Sequence, residues 1–172
     1  SDGAVTKNVA VTGTASNSAT VTFQYGVSGY TGTVDTFIRG TTDGGTNFSA
    51  NTNLEWDDTT DNTADEATLL RFNNIFTSDG GPISNGATIT SASLTYMTTD
   101  LNSGSTAFGD PADVYESLVD WPNATVTYNN FGGEAGVQAD EYSATPTVSA
   151  TALALSTQYT IDATASLQRW SD

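Results

Sequence analysis

Residues 87–98 read ATITSASLTYMT and carry the clearest strand pattern of the chain. In an extended chain every second side chain points to the same face, so Ala92, Leu94 and Tyr96 share one face. Ser and Thr fill most of the remaining positions, and the β-branched Thr suits the polar face of a strand. Ile89 adds a further apolar residue to the stretch. The pattern predicts a β-strand with one apolar face.

The same period of two recurs along the chain in short runs that are separated by turn signals. Examples of these signals are Asp43-Gly44-Gly45 and Asn85-Gly86. Many short strands joined by such turns predict an all-β fold, an antiparallel β-sandwich of the jelly-roll kind. We expect its other strands at residues 4–12, 20–25, 34–39, 66–73, 112–119, 125–128, 147–154 and 157–163.

One short helix is expected near the end of the chain, where residues 162–170 read DATASLQRW. Asp162 or Thr164 can cap its N-terminus. Leu167 and Trp170 are three residues apart and share one helix face, so we expect both to lie in the core.

Composition and charge exclude several classes of function. The 172 residues include no His and no Cys, so Ser-His-Asp and Cys-His relays and the usual zinc, copper and haem ligands are missing. Four Lys and Arg face twenty Asp and Glu, which gives a formal net charge of −16. This charge argues against nucleic acid and anionic membranes as partners, and it favours hard cations such as Ca²⁺.

The composition also indicates where the protein acts. A chain rich in Thr, Ser, Asn and Gly with few basic residues is typical of secreted or cell-surface proteins of bacteria and archaea, so we expect an extracellular location. No signal peptide is visible at Ser1, and the alternatives are that one has been removed or that the sequence has been trimmed. No apolar run approaches the roughly 20 residues of a membrane span, so no membrane insertion is expected.

Four stretches of the sequence resemble the DNRLRE-type domain, in the same order as in that family. The resemblance implies a β-sandwich and a non-catalytic extracellular module, because some members are carbohydrate-binding modules attached to alginate lyases and other polysaccharide-degrading enzymes. It does not fix the ligand, since one fold hosts many functions. The stretches are FQYGVSGYTGTVDTFIR (23–39), LLRFNNIF (69–76), GATITSASL (86–94) and YTIDATASLQRW (159–170).

The chain departs from the family pattern at several places. Asn73 stands where the family has an acidic residue, and Tyr128 stands where it has Trp. The family normally continues after the short helix with further strands, so we expect 21–172 to be a sandwich that lacks its last strands.

Residues 1–20 form an N-terminal extension, and VTKNVAVTG (5–13) reads as an extra strand. An extra strand at one end and missing strands at the other suggest donor-strand exchange between copies of the chain, with Val5, Val9 and Val11 as assembly residues. The alternative is a sequence trimmed at these points.

The densest acidic run, EWDDTTDNTADE (55–66), is a candidate calcium site. Ca²⁺ takes 6–8 oxygen ligands, and this run can supply several of them, although its spacing is not that of an EF-hand. The alternative is a solvated acidic loop between two strands. Asp35, inside a predicted strand, is a second candidate, whereas Asp110, Asp113 and Glu116 are not expected to converge. The expected metal ligands are Asp57, Asp58, Asp61 and Asp65.

A sugar-binding surface needs exposed aromatic rings and planar hydrogen-bonding groups. Trp121 and Tyr128 border the Pro122-Asn123 turn, and of the aromatic residues we expect these two to be exposed. Arg39 and Arg71 are candidates for pairing with the carboxylates of a uronate polymer, but internal salt bridges in so acidic a chain are the favoured alternative. The negative charge also disfavours a polyanionic ligand unless Ca²⁺ bridges it.

Catalysis is not expected, because nothing in the sequence singles out one pair of carboxylates from the twenty available. The leading interpretation is a secreted, non-catalytic carbohydrate-binding β-sandwich stabilised by Ca²⁺, with a polysaccharide as its partner. The alternative is a structural subunit of an extracellular filament or surface layer that polymerises with copies of itself through the N-terminal strand.

Overall fold

The computed structural model describes residues 6–12, 18–56, 66–98, 113–149 and 157–172. The described residues fall into two compact units. Unit 1 is drawn from residues 34–56, 66–70 and 113–149, and unit 2 is drawn from 6–12, 18–33, 71–98 and 157–172. The strands and the helix of the two units are β1 (Thr6–Thr12), β2 (Ser18–Phe23), β3 (Thr33–Arg39), β4 (Glu66–Phe72), β5 (Thr88–Met97), β6 (Asp113–Val114), β7 (Val148–Ser149), β8 (Gln158–Asp162) and α1 (Thr164–Ser171).

The all-β class and the single short C-terminal helix agree with the sequence-based prediction for the described residues. The strands form an antiparallel sheet in the order β2-β1-β5-β8, an antiparallel ribbon of β6 and β7, and a pair of β3 and β4.

The strand predicted over 125–128 is wrong, because these residues lie in turns and irregular backbone. The amides of Thr125 and Val126 both donate to the carbonyl of Pro122, and the amide of Thr127 donates to Oδ1 of Asn130. Local acceptors therefore satisfy the donors that a neighbouring strand would otherwise bind.

In unit 2, β5 contains an irregularity that explains its apolar spacing. Ala10 of β1 pairs with Ser91, whereas Val11 pairs with Ile89, so Thr90 is an extra residue on β5. Such a bulge shifts the phase of the strand by one residue. Ile89 and Ala92 are consequently both buried although they are three residues apart.

Strand β1 lies inside its own sheet. It pairs antiparallel with β2 on one side and with β5 on the other. Residues 6–12 of the N-terminal segment form a strand, and its partners belong to the same chain.

Helix α1 packs on the core of unit 2 through a stripe of residues four positions apart. Ala163, Leu167 and Ser171 are buried along this stripe, and the hydroxyl of Ser171 donates to the carbonyl of Ala87. Trp170 lies beside the stripe and is 47% exposed, so its predicted place in the core is wrong. The N-cap of the helix is Ala163 and has no side-chain cap, so the cap expected at Asp162 or Thr164 is wrong; Oδ1 of Asp162 accepts the amide of Thr164 from one residue before the cap.

Unit 1 is organised around β3, which buries side chains on both faces. Phe37 and Ile38 are both fully buried although they point to opposite faces. The ring of Phe37 stacks on Phe48 with centroids 4.3 Å apart. On the other face, Ile38 belongs to a cluster with Leu69, Trp121, Val126 and Phe131.

None of the helices in the described ranges has the length and apolar character needed to cross a membrane.

Candidate functional site

Arg39, a candidate ligand for carboxylates, already binds three of them inside unit 1. Its Nε donates to Glu66 and its Nη2 donates to Glu55, while Nη1 lies 3.5 Å from Asp43. The guanidinium carbon also lies 5.4 Å from the ring centroid of Phe37 and 5.3 Å from that of Phe48. Internal salt bridging, the alternative drawn from the sequence, is therefore the arrangement found for Arg39.

The electrostatics of this cluster fix Arg39 in its charged form. Burial alone would lower the pKa of Arg39, but the hydrogen bond and charge of Glu66 and the charge of Glu55 raise it above its ordinary value. One positive charge faces three carboxylates. This part of unit 1 is thus unsuited to binding a polyanion.

Of the other three ligand candidates, Trp121 is buried, and Tyr128 and Arg71 are half-buried. The exposure predicted for Trp121 is wrong, since the side chain is 3% exposed and packs in the core cluster of unit 1. Tyr128 is half-buried against the same cluster, and its ring lies close to Gly40. Arg71 is half-buried in β4, belongs to unit 2 and has an interaction within the chain.

The expected calcium ligands Asp57, Asp58, Asp61 and Asp65 lie outside the described residues, so calcium stays a prediction. Glu55 and Glu66, which flank them in the sequence, both bind Arg39. Among the residues that the structure describes, no group of three or more acidic side chains is arranged to hold a metal ion.

Of the expected assembly residues, Val5 lies outside the described residues. Val9 pairs with Val21 of β2 and with Ala92 of β5, and Val11 pairs with Ala19 and Ile89. Both residues therefore lie on a strand that is paired on both sides within the four-stranded sheet.

An exposed group of polar and aromatic residues lies on the ribbon formed by β6, β7 and the segments beside them. Asp113, Tyr115 and Ser117 alternate along one segment and therefore share one face. Ser117 forms an antiparallel bridge with Tyr142, which places Tyr142 on the same face. We call these four residues the Tyr115 face.

The two rings of the Tyr115 face contact each other edge to face. Their centroids are 4.8 Å apart and their planes are inclined by 64°, a favourable geometry for aromatic pairs. The hydroxyl of Tyr115 donates to Oδ2 of Asp113 over 3.3 Å. Tyr115 is 38% exposed, and Asp113 and Ser117 are exposed as well. An aromatic ring and a carboxylate are thus presented to solvent side by side.

The backbone beneath the Tyr115 face is held by a short ladder of hydrogen bonds. The amide of Leu118 donates to the carbonyl of Glu141, and the amide of Ser143 donates to the carbonyl of Glu116. The hydroxyl of Ser117 donates to the carbonyl of Val119. The two rings are therefore carried by paired backbone rather than by a free loop.

The phenol of Tyr115 is neutral at ordinary pH. Desolvation, followed by the negative charge of Asp113 and its hydrogen bond, raises the pKa of Tyr115 above its usual value. A neutral ring beside a carboxylate can stack on an apolar surface while the carboxylate accepts hydroxyl hydrogens.

Sequence reasoning found only part of this face. Alternation along residues 113–117 puts Asp113 and Tyr115 on one face, and the hydrogen bond between them agrees with this placement. Tyr142 was not anticipated, because its pairing with Ser117 depends on which segment returns beside residues 113–118. The aromatic residue at 142, within a run of turn-forming residues, was the available signal.

Comparison of the chain with protein-family models, with curated proteins and with solved structures finds no match in any of the three. The resemblance to DNRLRE-type domains therefore stays a prediction.

Proposed function

We propose that this chain is a secreted, non-catalytic carbohydrate-binding module that holds a neutral polysaccharide on the Tyr115 face. Its proposed fold is an antiparallel β-sandwich of the jelly-roll kind, as expected from the sequence. The antiparallel strand pairs and the short C-terminal helix are consistent with this fold.

The observation that carries the proposal is the exposed Tyr115 ring beside the Asp113 carboxylate. The C–H-rich face of a pyranose can stack on the electron-rich face of a tyrosine ring. The hydroxyls at the sugar rim can donate to the carboxylate in charge-assisted hydrogen bonds. Tyr142 packs edge to face against Tyr115.

The negative net charge of the protein disfavours anionic polysaccharides relative to neutral ones. Uronate polymers carry a carboxylate on each unit, and they would meet Asp113 and a chain of formal net charge −16. Neutral glucans, mannans and xylans face no such repulsion. A neutral polymer is accordingly the proposed ligand class.

The proposal is tested by calorimetric titration of the protein with soluble neutral polysaccharides and with alginate, each with and without EDTA. We expect binding of at least one neutral polymer and no binding of alginate in EDTA. Tyr115→Ala should weaken binding about tenfold, because the stacking surface is lost.

Tyr25→Ala is the matched control, since Tyr25 is 69% exposed and belongs to unit 2. It should bind as the wild type does. Failure of all neutral polymers to bind, or equal binding by wild type and Tyr115→Ala, would contradict the proposal.

A second candidate function is assembly into a filament by exchange of β1. The observation in its favour is that β1 pairs with β2 on one side and β5 on the other. Withdrawal of β1 would leave a slot with strand partners on both sides, and the β1 of another copy could fill it.

Because the chain has no Cys, disulfide trapping distinguishes exchange from internal pairing. Val9 pairs with Ala92, so chains carrying Val9→Cys are mixed with chains carrying Ala92→Cys under oxidising conditions. Strand exchange predicts disulfide-linked pairs of the two chains and filaments in electron micrographs. Only unlinked chains in the mixture, together with internal disulfides in the double variant, would exclude exchange.

A further inference from the structure

The chain contains two Asn-x-Ser/Thr sequences of the kind that accept N-linked sugars, at Asn47-Phe48-Ser49 and at Asn123-Ala124-Thr125. Both lie among the described residues of unit 1. We propose that Asn123 is an N-glycosylation site and that Asn47 is a structural residue that cannot be glycosylated in the folded protein.

The side-chain amide of Asn47 is fully engaged. Its Nδ2 donates to the carbonyl of Asn123 over 2.8 Å and to the carbonyl of Val126 over 2.7 Å. These two bonds use both hydrogens of Nδ2. Its Oδ1 accepts the amide and the hydroxyl of Ser49. A sugar on Nδ2 would break at least one of the two bonds that hold the turn at 122–126.

The surroundings of Asn123 are different. Pro122, Ala124 and Thr125 are exposed, and Thr125 closes a turn through its amide, which donates to the carbonyl of Pro122. Asn123 itself is half-buried, and its Oδ1 faces the interior. Oδ1 has no hydrogen-bond partner there, whereas Nδ2 is not one of the buried polar atoms without a partner among the described residues.

The hydrogen bonds of Asn123 leave its Nδ2 available. Its main-chain carbonyl accepts Asn47, while no hydrogen bond from its Nδ2 occurs within the part of the chain that the structure describes. A sugar attached there would project from an exposed turn.

The modification is a group transfer from a sugar that is activated as a nucleotide or lipid phosphate ester. The N-glycosidic bond forms between Nδ2 of Asn123 and the anomeric carbon of the sugar. The bond from that carbon to the phosphate oxygen breaks, the phosphate carrier leaves, and one Nδ2 proton is released. Thr125 supplies the hydroxyl that the acceptor sequence requires.

The test is to incubate the folded protein with a soluble N-glycosyltransferase and UDP-glucose, and to measure hexose on each peptide by mass spectrometry. We expect occupancy at Asn123 at least about tenfold above that at Asn47, because modification of Asn47 needs local opening that breaks its hydrogen bonds. In urea-unfolded protein that is diluted into the same reaction, both sites should be modified. A synthetic peptide of residues 119–129 verifies that the enzyme accepts the Asn123 sequence.

Two variants of an exposed residue serve as controls. Thr125→Ala should abolish the hexose at Asn123, whereas Thr125→Ser should retain it. Hexose on Asn47 of the folded protein at an occupancy within about tenfold of that at Asn123 would overturn the proposal. So would an unmodified Asn123 in folded protein when the peptide is modified.

Discussion

Arg39 of β3 donates through Nε to Oε1 of Glu66 in β4, so one ion pair links these two strands. The same guanidinium binds Glu55 and approaches Asp43. The side chain of Arg39 is 26% exposed and that of Glu66 is 13% exposed. Arg39 thus neutralises acidic groups that would otherwise repel one another in a partly buried place.

Replacement of Arg39 should destabilise the protein because three carboxylates would be left together without their cation. We expect Arg39→Met to lower the free energy of unfolding by about 2 kcal/mol, below the range for fully buried pairs because this cluster is partly solvated. Urea unfolding followed by circular dichroism measures the change.

Arg169→Met is the control for Arg39→Met, since it removes the same charge from an exposed position on α1. It should change the free energy of unfolding by less than about 0.5 kcal/mol. Equal losses in the two variants would show that net charge, rather than the Arg39 cluster, determines stability.

Tyr30 should make stability depend on alkaline pH. Its hydroxyl donates to the carbonyl of Asn73 over 2.7 Å, and its ring packs edge-on against Phe23. Burial, and then the charge of Asp79, raises the pKa of Tyr30 from 10.0 to about 12. Because the folded state holds this proton more tightly, its contribution is complete below pH 10 and is lost as the pH rises towards 12.

The measurement for Tyr30 is urea unfolding of the wild type and Tyr30→Phe from pH 8 to pH 12. The variant should be less stable by about 1 kcal/mol at pH 8, because the hydrogen bond to Asn73 is lost. Its stability should also fall less steeply above pH 10. Parallel pH curves for the two proteins would contradict the assigned pKa.

Gly132 should tolerate no side chain. Its φ of +61° is in the left-handed region, and a Cβ at this position would lie within bonding distance of Oε1 of the buried Glu141. Oε2 of Glu141 accepts the amide of Gln138 over 2.7 Å, so displacement of the carboxylate would also cost this hydrogen bond. We expect Gly132→Ala to lower the free energy of unfolding by about 3 kcal/mol.

Gly80→Ala separates the two causes of the loss expected at Gly132, which are the left-handed backbone and the clash of a Cβ with Glu141. Gly80 has a φ of +86°, but no heavy atom lies within 4 Å of the position that a Cβ would take there. Only the backbone strain applies, so a loss of about 1 kcal/mol is expected. Thermal unfolding of both variants gives the comparison, and a loss at Gly80 as large as at Gly132 would rule out the steric role of Glu141.

Strands could be predicted from the sequence where apolar and polar residues alternate along the strand itself. The surroundings of the candidate site residues could not be predicted in this way. The pattern of 87–98 is sufficient for β5, because the side-chain period depends only on the strand itself. The burial of Trp121 and the partners of Arg39 depend on segments distant in the sequence, such as the approach of Glu66 to residue 39. The amides of residues 125–127 likewise donate to Pro122 and Asn130, which a pattern of alternation does not reveal.

The bulge in β5 predicts opposite outcomes for two single-residue deletions. Deletion of the exposed Thr90 would remove the extra residue, so Ile89 and Ala92 would stay on the buried face in a regular strand. Deletion of Ser93, in the regular part, would bring Ala92 and Leu94 next to each other and turn one apolar group towards solvent. We expect the Thr90 deletion to fold with a loss below about 1.5 kcal/mol, and the Ser93 deletion to lose about 3 kcal/mol or more. Urea unfolding of both variants measures the two losses in the free energy of unfolding. Equal losses would mean that Thr90 is not a bulge residue of β5.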